Sequence, residues 1–212
     1  MREYKHNKNN NFIDGYYLSD LSICDDLINL FKNSKNKTAG EVETGVKKEI
    51  KDSTDLLLRD TDIPQSNTLI KYFEELSKIL DLYKNKYKSC DNQVPTWGLE
   101  PAFRIQKYKP SQAFHGWHCE KGSIHTAIRH LVFMTYLNDV KKGGETEWYY
   151  QKLKAKPEKG LTVIWPSEWT FTHKGHTTID EDKYIMTGWY EFKKWFNLTY
   201  KIYFQRLFIY QI

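Results

Sequence analysis

The sequence predicts an α+β fold in which N-terminal helices support an antiparallel β barrel or jelly roll. Three observations carry that expectation. Apolar residues recur at helical spacing in the first half of the chain, whereas after residue 98 they recur every second position. The later segments are short and separated by polar turns, with no helical stretch between them, as in closed antiparallel architectures. Aromatic residues make up 16% of the 212 residues, with 15 Tyr, 11 Phe and 7 Trp, and such rings favour strands and fill barrel interiors.

The elements follow in order. Residues 1 to 11 are polar and Asn-rich, and are expected to be disordered. A single domain is expected over residues 12 to 196, with helical support from 12 to 98 and the jelly-roll core from 99 to 196. Phe12-Ile13 and Tyr16-Tyr17 open it. Ser19-Asp20 precedes Leu21, Ile23, Leu27, Ile28, Leu30 and Phe31, which is helical periodicity behind an N-cap signal. Residues 32 to 47 read as a Lys/Asn/Thr/Gly-rich loop, and Asp55 to Leu58 as a short extended piece. Pro64 and Ser66-Asn67 introduce a second helix carried by Leu69, Ile70, Tyr72, Phe73, Leu76, Ile79, Leu80 and Tyr83, ending near Tyr87. Neither helix can bury its apolar face alone, so both are read as one supporting layer.

Beyond residue 98, Phe103, Ile105 and Lys107 alternate with Arg104, Gln106 and Tyr108. Further strands are expected at Ala127 to Leu137, Leu161 to Trp165, Phe171 to His173 and Tyr184 to Tyr190. Lys109-Pro110, Asn138-Asp139, Gly143-Gly144 and Pro166-Ser167 punctuate them. Residues 197 to 212 form an apolar extension, rich in Tyr, Phe, Ile and Leu. It is expected to cover an edge, to pack back on the domain, or to make a homodimer contact.

Composition narrows the function classes. The net charge of +5 is modest and dispersed along the chain, which argues against a nucleic-acid groove. Cys24, Cys90 and Cys119 are widely spaced and odd in number, so neither a disulfide framework nor a CxxC zinc site is suggested. The N-terminus has no apolar signal-peptide core, and no apolar run is long enough for a membrane span. An intracellular, cytoplasmic location is the resulting expectation, and the sequon Asn197-Leu198-Thr199 carries no weight there.

The histidines are unevenly placed: His115, His118, His125, His130, His173 and His176 all fall in the strand-rich half. Residues i and i+2 of an extended segment point to the same face, so His118 and Glu120 can address one cation together. A third donor must come from elsewhere, and the segment Trp169 to His176 offers His173 or His176. Two imidazoles and one carboxylate on one face of an ion leave open positions, a set suited to Fe(II) oxygen chemistry.

From residue 99 to about 192 the chain resembles the 2-oxoglutarate and Fe(II)-dependent oxygenases, specifically their prolyl 4-hydroxylase-like branch. That branch reads H-x-D/E, then after roughly fifty residues H-x-G, with Lys ten residues after that His and Trp six further. Here the matching residues, in order, are Tyr108, His118 with Glu120, Tyr136-Leu137-Asn138-Asp139-Val140, Gly143-Gly144-Glu145-Thr146, Lys159-Gly160-Leu161, Trp165, His173 with Gly175, Lys183 and Trp189. His173 keeps both the H-x-G and the step to Lys183; His176 does not.

The resemblance implies a double-stranded β-helix core and a dioxygenase hydroxylating an unactivated C–H bond, with release of succinate and CO2. It implies Fe(II) held by His118, Glu120 and His173, with 2-oxoglutarate and O2 as co-substrates and ascorbate as reductant. Lys183 would pair with the distal carboxylate of 2-oxoglutarate, Tyr108 would hydrogen-bond it, and Thr146 and Thr187 would add contacts. The implied substrate is a peptidyl proline, a flat ring that Trp117, Trp148, Tyr149 and Trp165 would suit. A free amino acid, another small molecule, a modified base, or a catalytically silent binding module are the alternatives. Glu120 departs from the commoner aspartate, and Tyr108 aligns only with a one-residue insertion.

Overall fold

Period-two alternation in the second half of the chain becomes a sheet with two chemically different faces. A computed structural model describes residues 1–5, 11–92 and 94–193. In chain order the elements are β1 Glu3–Tyr4, β2 Asp14–Tyr17, α1 Ser22–Asn33, β3 Lys37–Ala39, β4 Thr54–Arg59, a 3-10 turn at Asp60–Gln65, α2 Asn67–Lys86 and the single turn α3 Ser89–Asn92. There follow β5 Trp97–Leu99, β6 Ala102–Tyr108, β7 Arg129–Tyr136, β8 Thr146–Trp148, β9 Leu153–Ala155, β10 Leu161–Pro166, a 3-10 turn at Trp169–Phe171, β11 His173–Gly175 and β12 Lys183–Phe192.

Among the described residues, nine strands form one antiparallel sheet in the order β1-β2-β10-β7-β12-β6-β4-β3, with β5 also on β12. A smaller sheet, β11-β8-β9, lies apart from it. One face of the large sheet, with Phe103, Ile105, Leu131, Phe133, Tyr184 and Met186, shares a core with Leu27, Phe31, Tyr72, Leu76 and Ile79 of the helices. Each such fully buried side chain contributes roughly 1.5–3 kcal/mol of transfer free energy. The opposite face, with Tyr108, Val132, Met134, Tyr136, Val163, Trp165, Ile185 and Trp189, shares a second core with Trp148, Leu153 and Ala155 of the small sheet. Two antiparallel sheets enclosing an interior make the jelly roll, and the helices cover its back.

Both helices form where the periodicity places them. The Ser66 hydroxyl accepts from the Leu69 amide at the start of α2. The Tyr72 hydroxyl meets Thr135 Oγ1 at 2.8 Å and so ties α2 to the sheet. At α1, Asp20 instead accepts from the Ser22 amide and hydroxyl just before the helix, and the C-terminal carbonyls of Phe31, Lys32 and Ser34 are capped by the Lys37 ammonium.

Several boundaries differ from the sequence reading. Glu3–Tyr4 pairs with β2, so this part of the 1–11 segment is ordered rather than disordered; residues 6–10 lie outside the described residues. Lys37–Ala39, expected as loop, adds an edge strand to β4. The strand expected at Phe171 to His173 begins at His173, because residues 169–171 turn before it. Residues 127–128 precede β7 instead of opening it. The short strands β5, β8 and β9 carry too few residues for their alternation to stand out. The extension 197–212 and its sequon lie outside the described residues. Among the described residues no helix is long and apolar enough to cross a membrane.

Candidate active site

The second core is interrupted where polar side chains replace apolar ones. His118 is not in a regular strand; it forms an isolated antiparallel bridge with His173 at the start of β11. The His118 amide donates to the His173 carbonyl at 3.0 Å, and the His173 amide donates back at 2.8 Å. The two imidazoles therefore stand side by side, ring centroids 4.3 Å apart.

Each ring is oriented by the backbone two residues upstream. His118 Nδ1 lies 2.9 Å from the Gly116 carbonyl, and His173 Nδ1 lies 2.9 Å from the Phe171 carbonyl. A carbonyl oxygen only accepts, so each Nδ1 carries the proton and each Nε2 presents a lone pair. Both Nε2 atoms face one oxygen, Glu120 Oε1, at 3.6 and 3.3 Å. The three ligand atoms lie within 4.8 Å of one another. Donors about 2.1 Å from one ion and at right angles stand about 3 Å apart, close to these spacings. Three electron-pair donors without a proton between them repel one another, and a cation at their centre relieves that repulsion.

Burial pushes the Glu120 carboxyl up, but hydrogen bonding and charge attraction from His118 and His173, which act when an imidazole carries a proton at Nε2, hold it well below the usual carboxylate range, so a cation that takes the place of that proton meets an ionised carboxylate. Burial and the neighbouring His173 lower His118, which favours neutral imidazole. Phe114 stacks on the His118 ring at 3.6 Å, and Trp165 packs against His173 at 5.1 Å. The indole N–H groups of Trp148 and Trp165 are buried without a hydrogen-bond acceptor among the described residues.

Lys183 opens β12 with its side chain on the same interior face, 3% exposed. Its ammonium donates to the Gly144 carbonyl at 3.0 Å and the His176 carbonyl at 3.4 Å. Among the described residues no carboxylate pairs with it. Burial pulls the Lys183 ammonium down to about 8, with Glu145 pulling weakly the other way. Two glycines make the space around it. Gly144 adopts a φ of +78°, which L side chains rarely take, and a Cβ there would stand 3.4 Å from Lys183 Cδ. A Cβ at Gly175 would stand 3.7 Å from Lys183 Nζ. A buried, carboxylate-free ammonium beside such a clearing suits an incoming carboxylate.

The other expected residues surround this corner. Thr146 on β8 lies opposite Gly175 and accepts a hydrogen bond from the Tyr136 hydroxyl at 2.7 Å. Thr187 shares the interior face of β12 and donates to the Phe133 carbonyl at 3.2 Å. Tyr108 presents its ring to Lys183 Nζ at 4.9 Å, while its hydroxyl donates to Gln106 Oε1 at 2.9 Å. Gln106 in turn donates to Asp55, which pairs with Lys51 at 2.6 Å. His176 stays apart from the triad and bonds Glu147 at 2.5 Å. His130 faces the Cys90 carbonyl; His115 and His125 are exposed. Cys119 is partly exposed.

Sequence reasoning gave no role to Tyr136, Arg129 or the Lys51–Asp55–Gln106 chain. Tyr136 was legible as an inward position of a strand, since it keeps the parity of Val132 and Met134. The others depend on contacts between distant segments.

Residues 103–191 match the family described as the 2OG-Fe(II) oxygenase superfamily. The matched stretch, 89 of the 212 residues, is similar to the oxygenase domain of that superfamily. Its members' cofactor set, Fe(II) with 2-oxoglutarate and O2, fits the donor triad and the buried ammonium found here, and the chain is a dioxygenase of this class. No curated protein matches the chain in sequence. Among solved structures, it is similar to the viral collagen prolyl hydroxylase of Paramecium Bursaria Chlorella virus-1 in its 2OG complex, with TM-score 0.63 and 19% identity over 87% of this chain and 98% of that one. A Pseudomonas putida prolyl-4-hydroxylase superposes with TM-score 0.64 and 13% identity, covering 86% and 94%. A Trichoplax adhaerens prolyl hydroxylase, in complex with a hypoxia inducible factor oxygen degradation domain peptide fragment, gives TM-score 0.66 and 16% identity, covering 86% and 84%. At these identities the likeness is one of fold.

Proposed function

We propose that this chain hydroxylates a peptidyl proline, with His118, Glu120 and His173 holding Fe(II) and Lys183 holding the distal carboxylate of 2-oxoglutarate. The observation that carries the reading is the pairing of three converging donor atoms with a buried ammonium that no carboxylate among the described residues neutralises. The bound metal, with 2-oxoglutarate and O2, supplies the oxidising power: the keto acid gives succinate and CO2, one oxygen atom going to each of succinate and the hydroxylated substrate.

The chain's own residues bind, orient and exclude water. The two backbone-held imidazoles and Glu120 fix the metal. Lys183 and the Tyr136–Thr146 hydroxyl pair receive the co-substrate, and Tyr108 supports the Lys183 ammonium through its ring face. Trp148, Trp165 and Phe171 wall the interior against solvent. Ascorbate serves as reductant outside this set of contacts.

A peptide substrate is favoured by the mouth of the site. Trp117, next to His118, packs edge-to-face on Tyr149 at 5.1 Å, Tyr149 on Tyr150 at 5.1 Å, and Tyr150 on Trp169 at 6.0 Å. All four rings are exposed. A continuous aromatic strip suits an extended chain carrying flat apolar rings, as proline-rich polyproline II segments do. Prolyl hydroxylases among the structures of like fold support the same class.

The test is turnover with Fe(II), 2-oxoglutarate and ascorbate, with and without proline-rich peptides. Succinate formed in step with one added oxygen on a proline is the expected result. Succinate formed without any peptide product would move the substrate to a small molecule, and no succinate under any condition would leave a binding module.

A further inference from the structure

An irregularity in β7 brings a charged side chain to the metal ligand that departs from the family pattern. β12 pairs regularly with β7 as far as Tyr190 opposite Leu131, and then Glu191 stands opposite Arg129. β7 thus advances two residues while β12 advances one, and His130 is the extra residue of a β-bulge. Without the bulge, parity with Val132 and Met134 would turn His130 to the interior. With it, His130 turns outward to Trp97 and the Cys90 carbonyl, and Arg129 turns to the site.

There Arg129 is locked from three sides. Its guanidinium lies over the Trp189 ring at 3.7 Å. Nε and Nη2 grip both oxygens of Glu100 at 2.8 and 3.0 Å. Nη1 donates to the Glu120 carbonyl at 3.2 Å and stands 3.6 Å from Glu120 Oε2. The stacked Trp189 donates its indole N–H to the same Oε2 at 2.9 Å. Glu120 is thereby divided: Oε2 is tied to Trp189 and Arg129, while Oε1 is left facing the two imidazoles.

We infer that Trp189, braced by Arg129 and Glu100, is a positioning residue that makes the longer glutamate a competent metal ligand in this chain. Glutamate has one more rotatable bond than aspartate, so a metal site loses more conformational freedom in fixing it. Holding one carboxylate oxygen removes that freedom before the metal arrives, and outer hydrogen bonds of this kind typically change metal affinity by about 10–100-fold. An aspartate at this position, though commoner in the family, would be one methylene short of the Trp189 donor. The inference rests on the metal site of the proposed function.

The experiment is a double-mutant cycle read as Mn(II) affinity by electron paramagnetic resonance titration on the full chain. It compares wild type, Trp189→Phe, Glu120→Asp and the double variant. Phenylalanine keeps a ring under Arg129 and removes only the donor. Melting of each protein in chelator monitors the fold separately from the metal. The expected result is about a tenfold loss for Trp189→Phe, a loss also for Glu120→Asp, and no further loss in the double variant. Equal effects of Trp189→Phe on both backgrounds, no effect on wild type, or tighter binding by Glu120→Asp would overturn the inference. A wild type that binds no Mn(II) would instead overturn the metal site itself.

Discussion

His118 and His173 exchange both of their backbone hydrogen bonds, so the two imidazoles come from one antiparallel bridge between distant segments. Their spacing is consequently set by backbone pairing and not by side-chain packing alone. Side chains of a directly opposed pair share a face, and here Glu120 reaches the same face from two residues along.

Removing any one of the three donors is expected to abolish tight metal binding. His118→Ala, Glu120→Ala and His173→Ala should each lower Mn(II) affinity by more than the roughly 10–100-fold that loss of a supporting hydrogen bond costs. Far-ultraviolet circular dichroism should stay that of wild type. Calorimetric titration checks it, and His176→Ala, which only breaks the bond to Glu147, should bind metal normally.

Lys183 predicts a pH dependence of co-substrate binding. Its ammonium titrates near 8, pulled down by burial. A carboxylate pairs with the protonated form, so 2-oxoglutarate affinity should be flat below pH 8 and fall up to about tenfold per unit above it. For the protein without co-substrate the sign is opposite. Between about 8 and the ordinary lysine value of 10.5 the unfolded chain binds more protons than the folded one, so Lys183 makes stability rise with pH across that window.

The same residue should show a conflict between stability and function. Lys183→Met removes a buried charge that has no counter-ion among the described residues and keeps most of the volume. Melting of the protein without co-substrate should move upward, by the equivalent of roughly 1 kcal/mol or more. The KM for 2-oxoglutarate should rise steeply in the same variant. A variant that melts lower would mean that the two carbonyl hydrogen bonds outweigh the cost of burying the ammonium.

Gly175→Ala should be tolerated by the fold and resisted by the co-substrate. The added Cβ meets Phe114 and Lys183 only at ordinary contact distances of 3.6 and 3.7 Å. It would, however, stand in the clearing before the ammonium. One methyl group in a fitted pocket changes binding by about 10–200-fold, so the KM for 2-oxoglutarate should rise within that range while melting hardly moves.

Asp55 should matter for stability more than its distance from the metal suggests. It pairs with Lys51 at 2.6 Å, with both side chains buried, and it anchors Gln106 and through it Tyr108. Asp55→Ala leaves the Lys51 charge uncompensated, at a cost of about 3–5 kcal/mol. Chemical denaturation measures it.

The alternation of Phe103 to Tyr108 assigned β6 its two faces correctly: Arg104, Gln106 and Tyr108 point to the interior, while Phe103 and Ile105 meet the helices. The helices were legible because α2 runs for 20 residues with a capping serine. The triad was legible because an i, i+2 pair survives in an extended segment even outside a regular strand. Less could be read where a single residue changes parity. The His130 bulge turns Arg129 inward, and nothing in the local pattern of Ile128 to Leu131 marks it. The hydroxyl of Tyr108 is engaged by Gln106 through a contact fixed by Asp55 on a neighbouring strand, a relationship between segments that no local periodicity encodes.

The proposed function requires that one cation and one dicarboxylate share this interior, the first held by His118, Glu120 and His173, the second by Lys183. Anaerobic titration of the protein with Fe(II) and 2-oxoglutarate tests it most directly, through the visible charge-transfer absorption of an iron–keto acid chelate. A saturable band is expected in wild type, with its loss in Glu120→Ala and a demand for far more 2-oxoglutarate in Lys183→Met. No band in wild type, or an unchanged band in both variants, would contradict it.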